Sequence, residues 1–382
     1  MERHDSNHAK GSAMVKIMHK LHESSEDYLN FTYGYPEGAN PSWVRKLQTH
    51  VPEAVFDDER SAQVFTLKIE DYFLNLFQAD HISLTPSAGY AFCFLCDALI
   101  QESGDEIVFQ DVSFEPYPKI VTVYKGKPVI AARRSDLSLS IDNIIKACTS
   151  RTKAIVLVMP DNPLGMTYNE RDLRQLMTFC VDKAITLVVD YTFFQISPSA
   201  VPLITTYKEI DGLSYTLIGD TGKILGLKGS KFGALVYSDH WVAVFPGVIS
   251  NYQFQHNQYD LYLISTILTD KRFDFYLRSL NALVVDNYNH IKAQLHPMLH
   301  LQPMEAAVFC VIDIADTGYA DISLAQKLLA QYVGVIPLSY FYHDSLTAPT
   351  TSIRVSLARP PEEIKEFVRI INDIIDGEFK TL

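Results

Sequence analysis

The sequence predicts an α/β protein: a large domain whose mostly parallel sheet is covered by helices on both faces, followed by a smaller α/β C-terminal domain. Three observations predict it. Short, continuously apolar runs at 154–159 and 185–189 read as strands buried on both sides. Amphipathic stretches with helical periodicity alternate with such runs from residue 81 onward. Beyond about residue 250 that rhythm gives way to one long helical stretch and a new βα pattern.

Taken in order, residues 1–28 are polar and mixed, an arm with at most a short helix around 15–21. The segment LNFTYGYPEGANP, 29–41, is dense in Gly, Pro and aromatics and reads as an ordered loop. A helix is expected over 62–77, with Val64, Leu67, Ile69, Tyr72, Phe73 and Leu76 on one side. Strands follow at 82–85, 106–109, 128–131, 154–159 and 185–189, with helices at 90–100, 116–124, 141–148 and 170–181 between them. Strand character continues at 215–218 and 232–237. A long helix over 272–299 precedes the final strand, 351–356, and the helix 361–375. The expected division is an arm over 1–28, a large domain over 29–250, and a connecting helix with the small domain over 251–382.

Composition narrows the function classes. Of 382 residues, 47% are hydrophobic and 20% charged, the balance of a globular protein, and no apolar run is long enough to span a bilayer. The opening MERHDSNHAKGSAM lacks an apolar core, so cytoplasm is the expected compartment, with no membrane partner. A formal charge of −12 argues against nucleic acid as partner and mildly favours a cationic substrate. Five cysteines make an odd count, and Cys93 and Cys96 lie inside the apolar stretch AFCFLCDALI, which reads as a buried helix face. Twelve histidines show no ligand spacing, and no metal site is expected.

Ligands in an open α/β sheet sit outside the carboxyl ends of the strands, so the polar residues there are the candidates. TPSAG, 85–89, opens a helix with small residues and free backbone N–H groups; it is an anion site or a plain cap by Ser87. Phe114 sits on a loop where a ring could cover a flat ligand, or simply packs in the core. DNPLG, 161–165, is a turn by composition. Asp190 ends a buried apolar strand, where a carboxylate needs a cation or a donor. The segment LIGDTGKILGLKGSKFG, 217–233, delivers Lys223 into a polar turn, with Gly226, Gly229, Gly233 and Lys231 after it. Such glycines permit close approaches that side chains block, and a lysine held there can present its amine to a carbonyl or phosphate.

The ordered set TPSAG, Phe114, Asn162-Pro163, Asp190, Lys223 resembles the fold-type-I pyridoxal-phosphate enzymes, specifically the class I/II aminotransferases, over nearly the whole chain. The resemblance implies pyridoxal 5'-phosphate as cofactor, an α-amino acid as substrate and a homodimer as assembly. It implies that Lys223 holds the cofactor aldehyde as a Schiff base and then takes the proton at the substrate α-carbon. It places Asp190 under the ring nitrogen, Phe114 on the ring face and Asn162 at the ring oxygen. Ser87, Ala88 and Gly89 fall on the phosphate-cradling helix start, and Lys231 where a phosphate-binding arginine is usual. Arg354 falls on the residue that grips the substrate α-carboxylate, with Gly34 beside it.

The chain also departs from the family pattern. The tyrosine expected three residues after Asp190 is Phe193, and Tyr191, on a strand, would point the other way. Asp220 stands where a phosphate-contacting hydroxyl is usual, which leaves Thr221 to take over that contact. Lys231 exchanges a planar fork for a point charge. A tyrosine that reaches the phosphate from the partner subunit appears as Phe56. Glu115, Tyr33 and His256 are further pocket candidates. Transamination is the leading reading; the alternative is elimination or cyclisation resembling capreomycidine synthase, on a guanidino amino acid. A ligand-sensing regulator would need a DNA-binding module, and no basic helix-turn-helix precedes the domain.

Overall fold

Seven strands between residues 82 and 237 build the larger sheet of the computed structural model, which describes residues 28–36, 40–52, 59–112, 114–134, 137–196, 207–227, 229–252, 254–303, 308–343 and 350–377. The chain begins with β1 (Leu29–Asn30), α1 (Ser42–Thr49) and α2 (Glu59–Phe77). It then alternates through β2 (Ile82–Thr85), α3 (Ala88–Leu99), β3 (Glu106–Gln110), α4 (Pro116–Val123), β4 (Lys127–Ala131), α5 (Ile141–Ala147), β5 (Thr152–Val158), α6 (Glu170–Lys183) and β6 (Thr186–Asp190). Next come β7 (Tyr215–Asp220), the single-turn helix α7 (Thr221–Leu225), β8 (Gly233–Tyr237), α8 (Phe245–Asn251), α9 (Gln258–Leu268) and the long α10 (Phe273–Gln294). The last part holds β9 (His300–Leu301), β10 (Phe309–Asp313), α11 (Asp321–Ala330), β11 (Val333–Gly334), β12 (Ile336–Pro337), β13 (Ser352–Ser356) and α12 (Pro361–Ile375).

The large sheet has the order β2-β8-β7-β6-β5-β3-β4. All neighbours are parallel except β8, which runs antiparallel to both β2 and β7. Burial on both faces explains the apolar runs. Along β5, Val156 packs into the core under α3 and α4, while Ile155 and Leu157 enter the core on the opposite side. Successive side chains on a strand alternate faces, so each central strand must be apolar at every position. A fully buried ring such as Phe92 contributes about 2–3 kcal/mol by leaving water.

The helices stop and start on local signals. Ser87 caps α3 by accepting from Tyr90 N–H, and Asn169 caps α6 by accepting from Asp172 N–H at 2.9 Å. Pro361 with Glu362 and Glu363 opens α12, as a fixed φ and early negative charge favour. On α2 the expected apolar face holds for Ile69 and Phe73, which are buried, but Val64 and Leu67 are both 49% exposed. Helical spacing identifies an amphipathic stripe without saying how wide a stripe the neighbours cover.

A four-stranded antiparallel sheet, β12-β13-β10-β9, packs apart from the large one, and β1 adds to β11 as a parallel pair. The N-terminal strand therefore docks beside the C-terminal elements. The arm over 1–27 and Phe56 lie outside the described residues.

Candidate active site

The carboxyl edge of the large sheet collects the candidates by register. Asp190, last in β6, pairs with Ile218 of β7, so Asp190, Ile218 and Asp220 project to the same face. Because β8 runs backward, its first residue, Gly233, pairs with Asp220 on one side and Thr85 on the other. A Cβ on Gly233 would come within 2.3 Å of the Ser87 backbone. Glycine is therefore required there for the start of α3 to close against β7 and its short helix.

Lys223 sits on α7 rather than in the open turn expected from the sequence. Five helical residues are too few to show periodicity, and Gly226 ends them in the left-handed region at φ +58. Its missing Cβ would lie 2.0 Å from the Pro36 carbonyl oxygen, so the aromatic loop around Gly34 clamps the helix end. Asn40 donates to Gly226 O at 3.4 Å, and the Tyr276 hydroxyl donates to Ile224 O at 2.7 Å. The amine stands 5.4 Å from the Phe193 ring centre and, among the described residues, makes no hydrogen bond or ion pair. Burial lowers its pKa below the ordinary lysine value; Asp220 and Asp190 oppose the shift, while Lys231 and Arg354 reinforce it.

Asp190 is buried and accepts from the Tyr117 hydroxyl at 2.7 Å and from Thr192 N–H at 2.8 Å. Burial raises its pKa, against the pull of those two donors and of Lys223. Tyr117 was not among the sequence candidates. It lies three residues after Phe114 on α4, stacks on Phe92 with centroids 4.1 Å apart and meets Phe114 edge-on at 5.1 Å. A tyrosine on an apolar helix face at the sheet's carboxyl edge was the available signal.

Arg354, on β13, is buried without a carboxylate. It donates from Nη1 to Asn162 Oδ1 at 2.7 Å and from Nη2 to Thr32 O, while Nε has no partner among the described residues. Its guanidinium lies 4.0 Å from the Phe309 ring centre and 5.0 Å from that of Phe341. Burial pushes its pKa down to about 9. Asn162 is held in place by its turn, where Asp161 pairs with Arg133 and accepts from Met166 N–H. Gly34 is required beside this group: a Cβ would fall 2.3 Å from Phe309 Cζ and 2.9 Å from Phe193.

Several sequence expectations change. The Thr221 hydroxyl is engaged with the Phe232 backbone, accepting from N–H at 2.9 Å and donating to the carbonyl at 3.3 Å. The Asp220 carboxylate accepts from Ala88 N–H at 3.1 Å and Gly222 N–H at 2.7 Å. The Ser87 oxygen serves the α3 cap, and Gly89 faces open space, with only Ser87 Oγ at 3.6 Å. Lys231 is exposed and lies against Gly222 through its aliphatic stem. Tyr191 points the other way, as expected, its hydroxyl bonded to that of Tyr207 at 2.6 Å in the core on the far face. Glu115 pairs with Lys119, His256 packs edge-on to Phe232, and Tyr33 stacks on Tyr35.

The charges do not balance internally. Among the described residues the Lys223 ammonium has no partner, the buried Arg354 guanidinium keeps an unpartnered N–H, and the buried Asp190 carboxylate is served only by uncharged donors, with Asp190 and Arg354 both close enough to act on the Lys223 charge. Buried charged groups left this way mark a candidate binding site.

Known proteins carry the same plan. A probable aspartate/prephenate aminotransferase of Aquifex aeolicus is 23% identical over 97% of both chains. Among solved structures, Escherichia coli YbdL, identified with a methionine aminotransferase function, superposes with a TM-score of 0.79 at 19% identity over 95% of this chain and 96% of its own. MppP soaked with the product 2-ketoarginine superposes at 0.78 with 18% identity, over 91% and 99%. Residues 55–371 match the family described as aminotransferase class I and II, and the chain belongs to it.

Proposed function

We propose that the protein moves an amino group between an α-amino acid and an α-keto acid at the edge where Lys223, Asp190 and Arg354 converge. Enzymes of this class depend on pyridoxal 5'-phosphate. When bound, the cofactor supplies an aldehyde carbon for amines and a ring that takes up the electron pair released at the substrate α-carbon. The observation that carries the reading is the Lys223 amine, partly buried, lowered in pKa and without a partner among the described residues, near the buried Asp190.

Each residue's part follows from its surroundings. Lys223 would hold the cofactor through its aldehyde and would be the base nearest the substrate α-proton; its lowered pKa leaves more free amine at neutral pH. Asp190, oriented by Tyr117 and Thr192, would hold the ring nitrogen of the cofactor. On this reading Phe114 would cover the ring face, Asn162 would serve the ring oxygen, and the α3 start at Ser87, Ala88 and Gly89, with Lys231, would receive the phosphate. Arg354 takes the substrate carboxylate in a two-pronged grip beside Gly34. The same reading takes the enzyme as a cytoplasmic homodimer, and light scattering of the purified protein tests the assembly.

One set of observations favours a second outcome on a guanidino amino acid, elimination or cyclisation. Phe193 offers no hydroxyl to the ring oxygen, Asp220 adds negative charge to the edge, and MppP was soaked with 2-ketoarginine. Incubation with amino acids, with and without pyruvate, separates the two. Acceptor-dependent amine transfer supports the aminotransferase; an acceptor-independent product of altered mass refutes it. Borohydride treatment of the holoenzyme must fix the cofactor on the peptide carrying Lys223, and an adduct surviving in Lys223→Ala would overturn the assignment.

A further inference from the structure

We propose that Asp220 sets how strongly this site holds the phosphate of its cofactor: its carboxylate occupies the N–H groups of Ala88 and Gly222 and weakens the grip on the phosphate ester relative to the ring. The proposal rests on the pyridoxal-phosphate reading above. The start of α3 is a twelve-residue helix terminus whose N–H groups and dipole favour an anion. Here that anion is already supplied by the chain. Asp220 is buried, and its two oxygens take one N–H each, from Ala88 at 3.1 Å and Gly222 at 2.7 Å.

The neighbouring donors do not make up the difference. The Thr221 hydroxyl is bound to Phe232, and Ser87 Oγ is engaged as the α3 cap. Lys231 is one exposed ammonium without a hydrogen-bond or ion-pair partner among the described residues, a point charge on a flexible stem. Gly222 has carboxylate on one side and Lys231 on the other: a Cβ there would lie 2.9 Å from Asp220 Oδ1 and 3.0 Å from Lys231 Cδ. A phosphate entering this corner must displace a carboxylate from its donors or rest beside it as a like charge, and either lowers affinity. The ring end, built on Asp190, Tyr117 and Lys223, carries no such conflict.

The test compares apoenzyme of the wild type, Asp220→Asn and Asp220→Ser in titrations with pyridoxal 5'-phosphate and with pyridoxal, which lacks only the phosphate. Binding is followed by absorbance of the bound chromophore, and inorganic phosphate is titrated as a competitor. Asp220→Asn keeps an oxygen for Gly222 N–H while removing the charge; Asp220→Ser restores a hydroxyl. The expected result is at least tenfold tighter pyridoxal 5'-phosphate binding in the variants, pyridoxal within twofold, and stronger competition by inorganic phosphate. Equal changes for both ligands would assign Asp220 to the α7 cap alone and overturn the proposal, as would weaker phosphate-ester binding in both folded variants. If neither ligand bound wild-type protein in a Lys223-dependent way, the cofactor assignment itself would fall, a result distinct from the other two.

Discussion

Replacing Arg354 by lysine keeps a positive charge at the four-stranded sheet but removes the planar fork. In the wild type two donors of the guanidinium are spent on Asn162 Oδ1 and Thr32 O, and the rest remain for a carboxylate. A lysine has three donors at one point and cannot hold both internal partners while gripping a carboxylate with two parallel bonds. Each charge-assisted bond contributes about 1.5–3 kcal/mol, and lysine recovers one of the two. The net loss of about 1.5–3 kcal/mol corresponds to a roughly 10- to 150-fold fall in kcat/KM. The assay compares an α-amino acid with the amine that lacks its carboxylate, at equal cofactor occupancy. The fall is expected for the amino acid alone. Equal losses for both, or none for either, would refute the assignment of Arg354 to the substrate carboxylate.

Three further outcomes follow from the site. Tyr117→Phe removes the hydroxyl donor to Asp190 while keeping the ring on Phe92; kcat should fall about ten- to hundredfold, for a loss of about 1.5–3 kcal/mol. Its acidic limb in a pH–rate profile should move to higher pH, because a carboxyl already raised by burial loses a donor to its charged form; an unmoved limb would count against the role. Lys223→Met should raise the melting temperature of the apoprotein at neutral pH. The ammonium's folded pKa is lowered, so its stability contribution is full above the ordinary lysine pKa and lost as pH falls through the folded value; the gain must vanish in melts above about pH 10.5. Gly226→Ala meets both a positive φ and the Pro36 oxygen and should cost about 3 kcal/mol in urea unfolding; an unchanged midpoint would show that the loop does not clamp α7.

Much of this arrangement is legible in the sequence because the strands that carry the site end in polar residues. Apolar runs ending at Asp190 and Asp220 announce both the strand and the edge where chemistry collects. What escapes is what depends on partners. Nothing in the order Asp220-Thr221 says which oxygen turns back to the Phe232 backbone and which reaches Ala88; that is decided by the antiparallel return of β8. Tyr117 reads as one more aromatic of an apolar helix until Asp190 is found opposite it. Helix α9, QYDLYLISTIL, has buried residues on several sides, so its stripe is too wide to mark a period. Two-residue strands such as β9 and β11 carry no pattern at all.

The bond from Arg354 to the Thr32 carbonyl joins residues 322 positions apart, and β1 aligns Leu29 with Val333. A ribosome must therefore finish nearly the whole polypeptide before the carboxylate grip can exist. Until then the segment around Thr32 waits with its hydrogen-bonding groups unspent, and closure of so distant a contact is slow. The large sheet can form earlier, since its strands are complete by residue 237. Nascent chains cut short before β13 should thus acquire the ring end of the site while lacking any means of selecting an amino acid. Assembly order in this molecule would deliver substrate selection last, once the two ends of the chain have met.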